Sequence, residues 1–263
     1  MARSLSFVSA AQTHVGMVRA LNEDAMVDRP AIGLWAVADG MGGHEAGEVA
    51  SGLVAEALNH VETLSSGYAF LDEVRASLLR ANHTLVARAA SLSPGSIMGS
   101  TVVALLVYGG HYACLWAGDS RAYMLRDMEL KRLSRDHSVV QELIDAGNLT
   151  PAEAKSYRRS NVITRAVGVQ EDFSLDIVEG AIEAGDIFLL CSDGLTGMVA
   201  DEEIAAILKM RPTSTVAEDL IRLTLERGAK DNVTVIVIRA DASPDDTLGG
   251  DGTLVGPRDD WSW

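Results

Sequence analysis

Thr101–Ala117 reads TVVALLVYGGHYACLWA. Two apolar, β-rich runs, Thr101–Tyr108 and His111–Ala117, meet at Gly109-Gly110, and such a junction predicts an antiparallel hairpin. Arg121–Arg126 (RAYMLR) reads as a third strand of that meander. Further out, Ile32–Ala38 (IGLWAVA), Asp186–Cys191 (DIFLLC) and Val233–Ile238 (VTVIVI) are short apolar runs of the same kind. The last is apolar at every position but one, as expected of a strand held between two layers.

Between these runs the apolar period changes. Ala50, Leu53, Val54, Ala57, Leu58 and Val61 recur at helical spacing, as do Leu71, Val74, Leu78, Ala81 and Leu85. Ala217, Leu220, Ile221, Thr224 and Leu225 repeat the pattern near the end. Each helix therefore carries one apolar stripe that must lie on something apolar. Strands and helices come in groups rather than in strict alternation, which points to an α+β arrangement of antiparallel sheets covered by helices. Residues 138–170 differ, with short helical pieces, Gly147, Pro151 and Arg158-Arg159. They read as a flap inserted over a site. From Asp241 the chain loses periodicity and reads as an acidic flexible tail over 241–263, with six Asp against one Arg.

The 263 residues, 48% hydrophobic and 22% charged, have the balance of a globular chain, and one domain over 1–240 is expected. No run approaches the roughly 18–20 apolar residues of a membrane span, and the amino terminus lacks a secretory apolar core. A net charge of −15 disfavours nucleic acid and anionic lipid as partners. Cys114 and Cys191 sit inside apolar runs and read as buried free thiols of a reducing compartment.

Four aspartates share one context. Asp39, Asp119, Asp193 and Asp231 each stand where an apolar run meets a turn. Asp-Gly alone is a common turn pair, but four such positions make convergence plausible. Two carboxylates about 4 Å apart repel by about 4 kcal/mol at an effective dielectric of 20. A convergent set must take up protons or bind cations. Oxygen donors without His or Cys suit Mg²⁺ or Mn²⁺. Paired hard cations activate water for attack at phosphorus, and a phosphate substrate calls for an arginine fork.

The order of motifs carries a family resemblance. Arg19-Ala20-Leu21-Asn22-Glu23-Asp24 and Val37-Ala38-Asp39-Gly40-Met41-Gly42-Gly43-His44 come first. Gly99-Ser100-Thr101, Trp116-Ala117-Gly118-Asp119-Ser120-Arg121, Arg135-Asp136-His137-Ser138 and Thr164-Arg165-Ala166-Val167-Gly168 follow. Cys191-Ser192-Asp193-Gly194-Leu195 and Lys230-Asp231-Asn232-Val233-Thr234 complete the set. Over roughly residues 5–240 the chain resembles the metal-dependent PPM, or PP2C-type, protein serine/threonine phosphatases in their bacterial form.

The resemblance implies a four-layer αββα sandwich of two antiparallel sheets flanked by helices. It implies two Mn²⁺ or Mg²⁺ ions, with a third in bacterial members. Asp39 would bridge two ions, the Gly40 carbonyl would bind one, Asp193 and Asp231 would hold the first, and Glu23 would serve the second. Asp119, with Asp193, would form the third site. Arg19 would grip the substrate phosphate, and Asp24 and Asn232 would orient the ligands. An activated water, rather than a side chain, would be the nucleophile, so no phosphoenzyme is expected. Many animal and yeast members carry a His where this chain has Met41, which leaves His44 as the nearest candidate acid for the leaving alkoxide. His14 stands where the family usually has Asp.

Other phosphatase and hydrolase chemistries lack their residues here. There is no Cys-x5-Arg, no P-loop and no Gly-x-Ser-x-Gly elbow. A catalytically silent phosphatase-like binding domain is the rival from another class, and it would be expected to have lost metal-site acids. The resulting expectation is a monomeric, cytoplasmic phosphatase acting on phosphorylated proteins and opposing a Ser/Thr kinase. Thr247 and Thr253 in the tail would be targets for that kinase and for forkhead-associated domains.

Overall fold

A computed structural model describes residues 5–42, 46–62, 64–92, 95–154, 157 and 162–243. Its elements in chain order are β1 (Leu5–His14), β2 (Asp24–Arg29), β3 (Leu34–Gly42), α1 (Ala46–Asn59), α2 (Gly67–Leu92), β4 (Met98–Ser100), β5 (Val102–Tyr108), β6 (His111–Ala117), β7 (Arg121–Arg126) and β8 (Glu129–Arg132). These are followed by α3 (Val139–Asp145), α4 (Pro151–Ala154), β9 (Asp176–Ala181), β10 (Ile187–Cys191), α5 (Asp193–Thr196), α6 (Asp201–Met210), α7 (Thr213–Glu226) and β11 (Val233–Ala242).

The hairpin forms as expected. Tyr108 pairs with His111 across a two-residue loop, and Gly109 and Gly110 both have positive φ, 56° and 81°, as a type I′ turn requires. The expected third strand does not extend it. β7 lies in the other sheet, because both edges of β6 are already taken by β5 and β9. Gly118, at φ 115°, carries the chain across. One sheet runs β1-β11-β10-β7-β8, and the other runs β2-β3-β5-β6-β9 with β4 joined to β3. All pairings are antiparallel. The strand expected from Ile32 starts at Leu34 instead. Pro30 opens a single 3-10 turn, and Gly33 ends it with a left-handed conformation.

Alternation of side chains sorts the apolar residues into three layers. Leu34, Ala36 and Ala38 of β3 face α1 and α2, where Val54, Leu58, Val74, Leu78 and Leu85 are buried. Trp35 and Val37 face the opposite way and meet Phe188, Leu190, Ile236 and Ile238 between the sheets. Val233, Val235 and Val237 of β11 turn toward Ile204, Leu208, Leu220 and Ile221 of α6 and α7. β11 is thus covered on both faces, which is why its sequence is nearly unbroken hydrophobic. The order helix, sheet, sheet, helix is the four-layer α+β sandwich. Among the described residues, no helix is long and apolar enough to cross a membrane.

Candidate active site

Strand register brings the motif residues to one rim. Asp24, the first residue of β2, pairs with Asp39 on β3. Cys191, which ends β10, pairs with Arg121, so Asp193 and the Asp119 turn leave the sheets side by side. His14 pairs with Val233, which sets the Arg19 loop beside Asp231 and Asn232. Buried strands fix these positions, and the polar residues stand at the strand ends.

A net of hydrogen bonds fixes the acids in place. Thr101 clasps Asp39 twice: its N–H donates to the Asp39 carbonyl at 2.8 Å, and its Oγ1 accepts the Asp39 N–H at 3.0 Å. The same Oγ1 lies 2.7 Å from Ser120 Oγ, next to Asp119. Asp24 Oδ2 accepts from Ser192 Oγ at 2.8 Å and Thr234 Oγ1 at 2.7 Å, so it ties the residue before Asp193 to the start of β11. Asn232 Nδ2 donates to the carbonyls of Val15 and Leu21, and its Oδ1 accepts the Glu23 N–H. Gly40 and Gly194 admit backbone against backbone. A methyl group on Gly40 would overlap the Gly47 carbonyl, and one on Gly194 would overlap that of Asn232.

Burial governs the electrostatics. It pushes Asp39 well above the usual carboxylate range, helped by the charges of Asp24, Asp193, Asp119 and Asp231. Burial lifts Asp24 and Asp119 each to about 7, with Asp193 adding to both. It also raises Asp193, with Asp231 adding and a hydrogen bond from Asp39 opposing. Glu23 is raised for the same first cause. The acids therefore sense one another, and withdrawal from water disfavours their charge. Arg121 opposes the shifts of Asp119 and Asp193, and Arg19 is the cation bonded to Asp231. Its Nη2 donates to Asp231 Oδ2 at 2.7 Å, and half of its side chain remains in solvent.

This donor set fits hard divalent cations. It offers carboxylates and a backbone carbonyl, and Glu23 Oε1, Asp24 Oδ1 and Asp119 Oδ1 are buried oxygens without a hydrogen-bond partner. A cation would supply the missing counter-charge. Among the described residues, no three His, Cys, Asp or Glu side chains make a group that could hold an ion. Mg²⁺-like ions do not need three, since they keep several waters and use one or two protein carboxylates.

His137 packs against the turn that bears Asp119. Its Nδ1 accepts the Gly118 N–H at 3.2 Å, its Nε2 faces Asp176 Oδ2 across 3.2 Å, and Trp116 stacks on its ring. Burial lowers its pKa, so the ring is held neutral. His44, Arg158, Arg159, Thr247 and Thr253 lie outside the described residues. Within the 138–170 segment Ser138 bridges Ile163, and Val167 bridges Ser100 at the end of β4. Ser138 also caps α3, accepting the Gln141 N–H.

Residues 17–232 match the family described as protein phosphatase 2C. The chain is 42% identical over 230 residues to the serine/threonine protein phosphatase PstP of Mycobacterium tuberculosis, covering 87% of this chain and 44% of that protein's length. In structure it is similar to PppA, described as a key regulatory component of the type VI secretion system in Pseudomonas aeruginosa. The TM-score is 0.84 at 44% identity, over 90% of this chain and 99% of that one. It is also similar to a PstP catalytic domain in complex with two manganese ions. There the TM-score is 0.82 at 38% identity, over 90% of this chain and all of that one.

Proposed function

The chain belongs to the protein phosphatase 2C family, and from that we propose that it is a protein serine/threonine phosphatase dependent on Mn²⁺ or Mg²⁺. The observation that carries the reading is the burial of Asp39 among Asp24, Asp119, Asp193 and Asp231, with Arg19 at the edge. Manganese in the PstP catalytic domain supports the choice of metal.

In this reading Asp39, the Gly40 carbonyl, Asp193 and Asp231 hold the ions, Glu23 serves the second and Asp119 a third. When bound, such ions acidify a water for attack on the phosphate ester and neutralise charge on the phosphoryl oxygens. The other steps belong to the chain. Arg19 presents its planar fork to the phosphate dianion, oriented by its bond to Asp231. Asn232 holds the Glu23 backbone, and Asp24 ties Ser192 to Thr234 of β11, so the carboxylates keep their aim. His44 would return a proton to the leaving serine or threonine oxygen.

The catalytic unit spans residues 1–240, with the last strand running two residues further. Residues 138–170 act as the flap, and the tail expected from 241 follows the last strand. The substrates are phosphorylated proteins, and the partner activity is a Ser/Thr kinase, with Thr247 and Thr253 among its targets and forkhead-associated domains as readers. A cytoplasmic location suits two buried thiols that stay unpaired.

The test is turnover of a phosphothreonine peptide with Mn²⁺, with EDTA, and by Asp193→Asn. Activity is expected only for the unaltered chain with metal. Turnover in EDTA would contradict the mechanism, and full activity in Asp193→Asn would contradict the site.

A further inference from the structure

We infer that Met17, Val18 and Leu21 form an apolar shelf around Arg19 that selects phosphoproteins with aliphatic residues beside the phosphorylated serine or threonine. The inference rests on the phosphatase reading and names the substrate class of that site. Arg19 lies within the loop from Val15 to Glu23, between β1 and β2. Met17, Val18 and Leu21 are 65%, 69% and 47% exposed, three large apolar side chains within five residues.

Single exposed apolar residues are ordinary, and Met128 and Met210 are of that kind. The Arg19 loop differs because it is held rigidly. The Gly16 N–H donates to His14 Nδ1 at 2.9 Å, and the Met17 N–H to the Ala229 carbonyl at 2.9 Å. Asn232 Nδ2 grips the carbonyls of Val15 and Leu21, and Asn22 Nδ2 donates to Thr13 Oγ1 at 2.9 Å. A slack loop would fold its apolar groups away from water. This one is fastened at both ends with those groups outward, on either side of the guanidinium in sequence.

The occupant follows from the charge in the middle. A phosphate drawn to Arg19 brings its flanking residues over Val18 and Leu21. The chain carries −15, so acidic flanks and anionic membranes are repelled, while aliphatic flanks gain contact. The shelf reads the neighbours of the phosphorylated residue, and Arg19 reads the phosphate.

Two phosphothreonine peptides, with leucine or glycine on both sides of the phosphoresidue, test this in Mn²⁺ with p-nitrophenyl phosphate alongside. The expected kcat/KM is about tenfold higher for the leucine peptide, the scale of a partly buried aliphatic contact. In the double variant Met17→Ser, Val18→Ser the preference should fall below about twofold, while Met210→Ser at the end of α6 keeps the full tenfold difference. Fluorescence anisotropy with phosphonate analogues should give the same ratio in Kd without turnover. Equal values for the two peptides, with p-nitrophenyl phosphate still hydrolysed, would overturn the shelf and leave the phosphatase reading standing. A preference that survives the double variant would overturn it too. Absence of metal-dependent turnover of all three compounds would remove the phosphatase reading, and the inference with it.

Discussion

The side-chain carbonyl of Asn232 accepts the backbone N–H of Glu23 at 2.8 Å, joining positions 209 residues apart. With the same side chain donating to Val15 and Leu21, one amide fixes the Arg19 loop to the last strand. Asn232→Ala leaves one N–H and two carbonyls without that partner in a largely buried place. The expected loss is about 3 kcal/mol, read as a lower urea midpoint. Asn232→Asp should do little better, because a carboxylate accepts from Glu23 but cannot donate to the two carbonyls.

Metal binding should stabilise the fold as well as activate it. At a concentration about 100 times its Kd, Mn²⁺ adds about 2.7 kcal/mol, or about 5–10 °C in Tm for a chain of this size. Differential scanning fluorimetry checks this without any substrate. Asp39→Asn and Asp193→Asn should each reduce the shift to below about 2 °C. A full shift in both variants would place the ion elsewhere.

Gly194→Ala offers a test of backbone contact between loops. The added methyl would overlap the Asn232 carbonyl oxygen and stand 3.3 Å from Val233 Cα, and neither is a flexible neighbour. The loop bearing Asp193 must then move away from the one bearing Asp231. Turnover should fall by about 100-fold, the effect of displacing a reacting group by an ångström.

His137 gives a pH dependence with a definite sign. Burial lowers its folded pKa below 6.5, with Asp176 and Asp136 opposing and Arg165 assisting. Between the two pKa values the unfolded chain binds more protons, so this contribution is present above about pH 6.5 and fades as pH falls. His137→Gln removes the titration. The stability advantage of the unaltered chain over this variant should shrink on going from pH 7.5 to pH 5.5, followed by urea denaturation. A growing advantage would contradict a neutral, buried ring.

The acids were legible in the sequence because each adjoins an apolar strand: WAVA before Asp39, LWAG before Asp119, FLLCS before Asp193 and VTVIVI shortly after Asp231. Their hydroxyl supports were not. Thr101, Ser120, Ser192 and Thr234 look like ordinary β-strand or turn residues until their partners, as many as 210 positions away, are brought beside them. β1, β2, β4, β8 and β9 also escaped notice. Strands at or near a sheet edge carry polar residues, as in DAMVDR and DIVEGA, and so blur the alternation. The change of sheet at β7 could not be read from period at all, since apolar alternation gives a strand's faces but not its neighbours.

The acids are shared between the two halves of the sandwich. Asp39 rides on β3 in one sheet, while Asp193 and Asp231 sit at the ends of β10 and β11 in the other. The gap across the rim is therefore set far below it, where Trp35, Tyr112 and Phe188 keep the sheets apart like a machinist's shim. A slip of one half over the other, with every strand still in register, would throw the grip out of true, and the chain would fall silent well before it came apart.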